Sequence, residues 1–189
     1  MIIENFNYIG SVDVSTIKEV LLKIDESVWL ENTIRQNTFN VHKHTETIDL
    51  MWDMQSLISN TKGTIHPNFH KFKIDELIEK LIPIYKTIYG DGEFIRVVLT
   101  KLKKNTEVYP HVDNGISLSN CKRTHIPVIT NPLVTFTIEN ETKFLKEGEI
   151  WEINNQNMHS VQNKSDVDRI HFIIDYYVQT KIKTNKSLL

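Results

Sequence analysis

The chain has 189 residues, a formal net charge of −2 from 22 Lys and Arg against 24 Asp and Glu, and 40% hydrophobic residues. That length suits one well-buried core rather than two ordinary domains, and the charge balance excludes the basic face expected of a nucleic-acid binder. No apolar run approaches a membrane span and the first ten residues lack a signal-peptide pattern, so the expectation is a cytoplasmic protein with no nucleic-acid or membrane partner. With Cys121 alone, intrachain disulfides and thiolate clusters are excluded too, and that cysteine reads as a bystander.

Ser15 is expected to cap a first helix in which Ile17, Val20, Leu21 and Ile24 share a face. His42-Lys43-His44 sets two imidazoles at strand spacing. Thr47 to Trp52 alternates apolar and polar residues and reads as a strand. His66 and His70 are four apart, but Pro67 makes a helix through both doubtful, and both histidine pairs read as solvated or hydrogen-bonded side chains rather than metal sites. Leu77, Ile78, Leu81, Ile82, Tyr85, Ile88 and Tyr89 predict a second helix, kinked or split at Pro83.

The pattern changes at Gly90-Asp91-Gly92. Strands are predicted over Phe94–Leu102, Thr124–Ile129, Leu133–Glu139, Glu149–Ile153, Met158–Asn163 and Ile170–Val178, separated by turn residues. A tail with Lys181, Lys183 and Lys186 reads as a frayed terminus. Together these predict a single α+β domain over 1–189: a helical and strand support with a substrate-side element in 1–92, a jelly-roll barrel in 93–180, and the tail in 181–189.

Tyr109-Pro110-His111-Val112-Asp113 contains His-x-Asp, and side chains two apart on an extended chain point to one side, so His111 and Asp113 can reach one ion together. Asn157-Met158-His159-Ser160 supplies a second imidazole at the start of another strand. Two imidazoles and a carboxylate on one face form the facial triad that suits Fe(II) and leaves positions open. Arg169 follows in register. Its planar fork suits the far carboxylate of a dicarboxylate, and an inward Arg in a dry barrel calls for an anion.

The stretch from Arg96 to Val178 resembles the aspartyl/asparaginyl β-hydroxylase family of Fe(II)/2-oxoglutarate oxygenases, through His111-Val112-Asp113, Arg123-Thr124-His125-Ile126-Pro127, Gly148 to Asn154, His159 to Asn163 and Arg169 to Asp175. The resemblance implies a double-stranded β-helix (jelly-roll, cupin-like) barrel with N-terminal helices packed on one side. It also implies iron on His111, Asp113 and His159, the distal carboxylate of 2-oxoglutarate on Arg169, and Arg123 and His125 helping to hold that co-substrate. The founding members carry glycine where this chain has Asp113, which places it nearer the bacterial branch with a complete triad, similar to free-proline hydroxylases. The same carboxylate argues against a halogenase.

The implied reaction is hydroxylation of an unactivated C–H bond, consuming O2 and 2-oxoglutarate and releasing succinate and CO2. Its expected substrate is a free, proline-like amino acid, with Arg35, Trp29 and Trp52 as candidate contacts. The alternatives are a hydroxylase of an Asp, Asn or Pro residue within a protein or peptide, and a cupin-like metal- or ligand-binding protein without oxygen chemistry. Phe136, Trp151 and Ile153 read as core, and His171 and Asp175 as structural polar residues on an inward-alternating strand.

Overall fold

The computed structural model describes residues 4–52 and 63–179. In chain order the elements are β1 (Phe6–Ser11), α1 (Ser15–Leu21), α2 (Glu26–Trp29), α3 (Ile34–Thr38), a 3-10 turn (Asn40–His42), β2 (Thr45–Met51), α4 (Pro67–Lys71), α5 (Ile74–Tyr89), β3 (Gly92–Leu102) and β4 (Thr106–His111). They continue with α6 (Ile116–Asn120), β5 (Lys122–Ile129), β6 (Val134–Ile138), β7 (Glu141–Lys143), β8 (Glu149–Ile153), β9 (His159–Asn163) and β10 (Arg169–Val178). The basic tail with Lys181, Lys183 and Lys186 lies outside the described residues.

The strands pair in two sheets, ordered β1-β8-β5-β10-β3-β2 and β4-β9-β6-β7, with antiparallel neighbours throughout. Two sheets whose strands interleave early and late parts of the chain make the expected jelly-roll. Among the described residues no helix is long and apolar enough to cross a membrane.

The large sheet has two unlike faces, and the alternation of side chains along a strand explains why. Ile170, Phe172, Ile174 and Tyr176 of β10 pack in the main core with Leu77, Leu81 and Tyr85 of α5, joined by Ile126 and Val128 of β5 and Val97 and Leu99 of β3. The intervening residues, Arg169, His171 and Asp175 on β10 and Arg123 and His125 on β5, therefore point between the sheets. All five are buried. A smaller apolar cluster around Leu102, Val108, Phe136, Ile138 and Val161 closes the rest of that space.

Three local expectations are corrected. Ser15 is the first residue of α1 rather than its cap. Val14 holds the cap position, and the Asp13 carboxylate, a stronger acceptor than a hydroxyl, takes the Ser15 N–H at 2.9 Å. Helix α5 continues through Pro83 without a split; Pro83 is exposed, and burial of Ile74, Leu77, Ile78, Leu81 and Tyr85 along one face outweighs the ~3 kcal/mol that an interior proline costs. His42 ends a 3-10 turn rather than sitting on a strand.

No helix runs through both His66 and His70: Pro67 opens α4 and leaves His66 outside it. The His66 Nδ1 before it caps the helix by accepting the Asn68 N–H at 3.2 Å. Strands β1, β4 and β7 were not predicted: β1 and β7 show no clean alternation of buried and exposed positions, and β4 contains Pro110.

Candidate active site

His111 ends β4 and His159 begins β9, and the two are directly paired across the small sheet. Their rings lie 4.3 Å apart between centroids. Asp113 follows two residues after His111, its backbone held by an N–H bond to the Asn155 carbonyl at 3.1 Å and by the Gln156 side-chain amide on its own carbonyl at 3.1 Å. The outcome is one ligand atom from each of His111, Asp113 and His159, all within 4.8 Å of one another.

The tautomers follow from the hydrogen bonds. His111 Nδ1 faces the Tyr109 carbonyl at 2.8 Å and His159 Nδ1 faces the Asn157 carbonyl at 2.9 Å. A carbonyl only accepts, so each Nδ1 carries the proton and each Nε2 offers its lone pair to the centre. These two backbone partners, each two residues back from its histidine, could not be named from sequence. His159 also stacks on Phe136, with centroids 6.0 Å apart. Burial holds its pKa below the ordinary value, which keeps it neutral and able to bind a metal.

For Asp113, burial alone would raise the pKa, but Arg123, His159 and His111 together hold the carboxyl well below its usual range. Its Oδ1 lies 3.6 Å from His111 Nε2 and its Oδ2 3.9 Å from His159 Nε2. A ready carboxylate beside two imidazoles fits a divalent iron with positions left open.

Arg123 is engaged more fully than the resemblance implies. Its Nη1 donates to Asp113 Oδ2, while Nε and Nη2 donate to the two oxygens of Asp175, each at 2.7 Å. Arg96 approaches Asp175 Oδ2 at 3.2 Å and stacks over Trp52 at 4.5 Å from the ring centroid. Trp52 thus reaches the site through Arg96.

Arg169 is different. It is 3% exposed; among the described residues it makes a long contact from Nη1 to Thr100 Oγ1 at 3.4 Å, and its Nε is buried without a partner there. Burial and the neighbouring Arg35 pull its pKa down to about 9. A guanidinium remains charged at neutral pH, so this depression marks a cation short of counter-charge.

Arg35 lines the same cavity from α3, donating to Thr47 Oγ1 at 3.5 Å and meeting His42 Nε2 at 3.3 Å. Burial and then Arg123 lower its pKa to about 10. Neither Arg35 nor Arg169 has an ion-pair partner among the described residues.

His125 also lines the cavity, with Nδ1 3.4 Å from Nδ1 of His171. Burial, with Arg169 nearby, drives both pKa values well below ordinary. His42, weighed from sequence only beside His44, instead sits edge-on to His111 at 5.0 Å and is held neutral by burial and by Arg35. His44 faces Tyr109.

Trp29 does not join the cavity. It is 2% exposed, packed in the main core and capped by Lys101 at 4.7 Å. Cys121 is held as a thiol by burial and by the Asp175 carboxylate, the opposite of a reactive cysteine.

With this geometry in place, the comparisons are informative. Residues 15–178 match the family described as Aspartyl/Asparaginyl beta-hydroxylase, so the match extends well before the Arg96–Val178 stretch that carries the motifs. No curated protein matches the sequence. Among solved structures, a prolyl hydroxylase from Trichoplax adhaerens, in complex with a hypoxia inducible factor peptide fragment, superposes with a TM-score of 0.60 at 12% identity, over 92% of this chain and 84% of that one. An oxidoreductase of the 2OG-Fe(II) oxygenase family from Burkholderia pseudomallei gives 0.56 at 12% identity, over 71% and 68%. HygX from Streptomyces hygroscopicus, with nickel, 2-oxoglutarate and hygromycin B bound, gives 0.54 at 13%, over 92% and 82%. At such identities these likenesses speak for the fold, and the family match speaks for the rest: the chain belongs to the aspartyl/asparaginyl β-hydroxylase family of 2-oxoglutarate-dependent oxygenases.

Proposed function

We propose that this protein is an Fe(II)- and 2-oxoglutarate-dependent dioxygenase that hydroxylates an unactivated C–H bond of a small carboxylate-bearing substrate, a free and proline-like amino acid. The observation that carries the reading is charge. His111, Asp113 and His159 converge on one point, and two guanidinium groups with no ion-pair partner among the described residues, the buried Arg169 and the half-buried Arg35, line the same cavity. A buried cation is normally paired, so Arg169 calls for one anionic group beside a divalent metal, and Arg35 offers a place for a second.

His111 and His159 would hold the iron through Nε2 and Asp113 through its carboxylate. When bound, iron and 2-oxoglutarate supply the oxidising chemistry, taking up O2 and releasing succinate and CO2 as the substrate gains a hydroxyl. The remaining roles belong to the protein. Arg169, steadied by Thr100, pairs with the far carboxylate of 2-oxoglutarate, and His125 stands beside the metal end of that co-substrate with its Nδ1 turned to His171. Arg35, oriented by Thr47 and His42, takes the substrate carboxylate and thereby selects which carbon lies near the metal. Phe136 and the apolar cluster behind it exclude water.

A residue within a protein or peptide is the other substrate class. An internal Pro or Asn residue carries no free carboxylate and would leave Arg35 unpaired, whereas an Asp residue offers only its side-chain carboxylate. The Trichoplax neighbour holds a peptide, which keeps this class in the test. A cupin-like protein without oxygen chemistry would have no use for Arg169.

The test is a succinate-release screen with Fe(II)-loaded protein over free L-amino acids and the same residues inside peptides blocked at both ends. The reading expects succinate matched by hydroxylated product with a free amino acid, and loss of that activity in Arg35→Ala. Turnover of blocked peptides alone would overturn the substrate assignment.

A further inference from the structure

The strand register puts Arg123, Asp175 and Arg96 in one row. Asp175 on β10 is directly opposite Arg123 on β5 and Arg96 on β3, so a carboxylate that is 0% exposed sits between two guanidinium groups. Opposite charges at facing positions attract across a sheet, and this row holds Arg123 in one orientation. A guanidinium has five N–H donors. Asp175 takes the Nε and one Nη2 donor in a two-pronged contact at 2.7 Å each, and only Nη1 reaches Asp113, at Oδ2.

We infer that Asp175 is a positioning residue that restrains Arg123 to a single oxygen of Asp113, reserving the other oxygen for the metal. The inference rests on the metal centre proposed above. Arg–carboxylate pairs favour the two-pronged geometry. Without Asp175, Arg123 would be free to turn that prong onto Asp113, covering both oxygens and competing with the ion, and its positive charge would no longer be offset beside a divalent cation.

With Asp175 present, Oδ2 is committed to Arg123 and Oδ1, 3.6 Å from His111 Nε2, is left for the metal. Arg123 then differs from the co-substrate role carried over from the family, because here Asp113 and Asp175 hold three of its donors.

The test uses Co(II), followed by its d–d absorption in the absence of 2-oxoglutarate, on wild type, Asp175→Asn, Arg123→Gln and the double variant, with thermal melts alongside. Outer partners of metal ligands typically contribute ten- to a hundredfold in affinity. The expected result is at least a tenfold loss for Asp175→Asn, a smaller loss for Arg123→Gln, which removes the Asp113 partner without freeing a second prong, and recovery to the Arg123→Gln level in the double variant, because Asp175 acts only through Arg123. Removing Arg123 also relieves the under-compensated buried charge left by Asp175→Asn, so affinities are compared at a temperature at which the melts show every variant folded.

If Asp175→Asn does not fold, the comparison of Arg123→Gln with the double variant still decides, since equal affinities are required and a further loss overturns the inference. Unchanged affinity in a folded Asp175→Asn overturns it as well. A wild type that binds no Co(II), or binds it equally well as His159→Ala, overturns the metal centre itself, a result distinct from failure of the Asp175 restraint.

Discussion

The two ends of β10 handle buried charge in opposite ways. At one end Asp175 is matched by Arg123 and Arg96, and Arg123 in turn by Asp113. Six residues earlier on the same face, roughly 20 Å along the strand, Arg169 has a threonine and, among the described residues, no anion, with Arg35 near it on Thr47, a residue level with Thr100 across the sheet. Charges that are satisfied within the chain hold the site's shape, and charges left over define what the site must bind. The same residue type therefore plays two parts on one sheet face, decided by what the neighbouring strands place opposite it.

The comparison breaks most visibly at the compensated end. Asp175→Ala removes one partner from a buried charge row and is expected to lower stability by about 3–5 kcal/mol, read by urea denaturation; a loss under about 1 kcal/mol would mean the row is not what holds that end together. At the other end the natural gain comes from ligand. With the metal present, 2-oxoglutarate at a hundredfold over its Kd should stabilise wild type by about 2.7 kcal/mol, and this gain should fall to about 1.4 kcal/mol or less at the same concentration in Arg169→Met, as measured by the shift in melting.

A smaller effect of opposite sign sharpens the contrast. Without ligand, Arg169→Met should be more stable than wild type by about 1–3 kcal/mol, since it removes a buried cation with an orphaned N–H. A destabilised apo variant would show that Arg169 is structural.

A further effect is a slope with pH. His125 and His171 are held neutral in the fold, with pKa values well below 6.5, whereas in the unfolded chain they take up protons near the ordinary value. Below that pH the unfolded state binds more protons than the folded state, so unfolding free energy falls as pH falls, by about 1.4 kcal/mol per pH unit for each histidine. Chemical denaturation of the apo protein between pH 7 and 5 reads this directly. A flat profile over that range would mean that both rings accept protons in the fold.

Much of the fold was legible because the sheets announce themselves. In Arg169-Ile-His-Phe-Ile-Ile-Asp, polar and apolar residues alternate, and one set faces the helices while the other faces the cavity. His111 and Asp113 were legible for the same reason, two residues apart on an extended segment, and Arg169 through its register with His159.

What stayed hidden depends on contacts between distant strands. No local pattern says that Arg123 lies opposite Asp175, so its engagement with carboxylates could not be read. His42 gave no signal either, because a 3-10 turn rather than strand spacing carries it to Arg35 and His111. Trp29 misled in the other direction: an aromatic near the presumed substrate side proved to be core, where its ring covers Lys101.

The central claim is that one metal and one dicarboxylate meet between His111, Asp113, His159 and Arg169. Its most direct test is anaerobic titration of the Fe(II)-loaded protein with 2-oxoglutarate, monitored in the visible range. The account predicts a metal-to-ligand charge-transfer band that saturates with wild type, is absent in His159→Ala, and needs at least tenfold more 2-oxoglutarate in Arg169→Met. Iron-loaded wild type that develops no band at any 2-oxoglutarate concentration would contradict it.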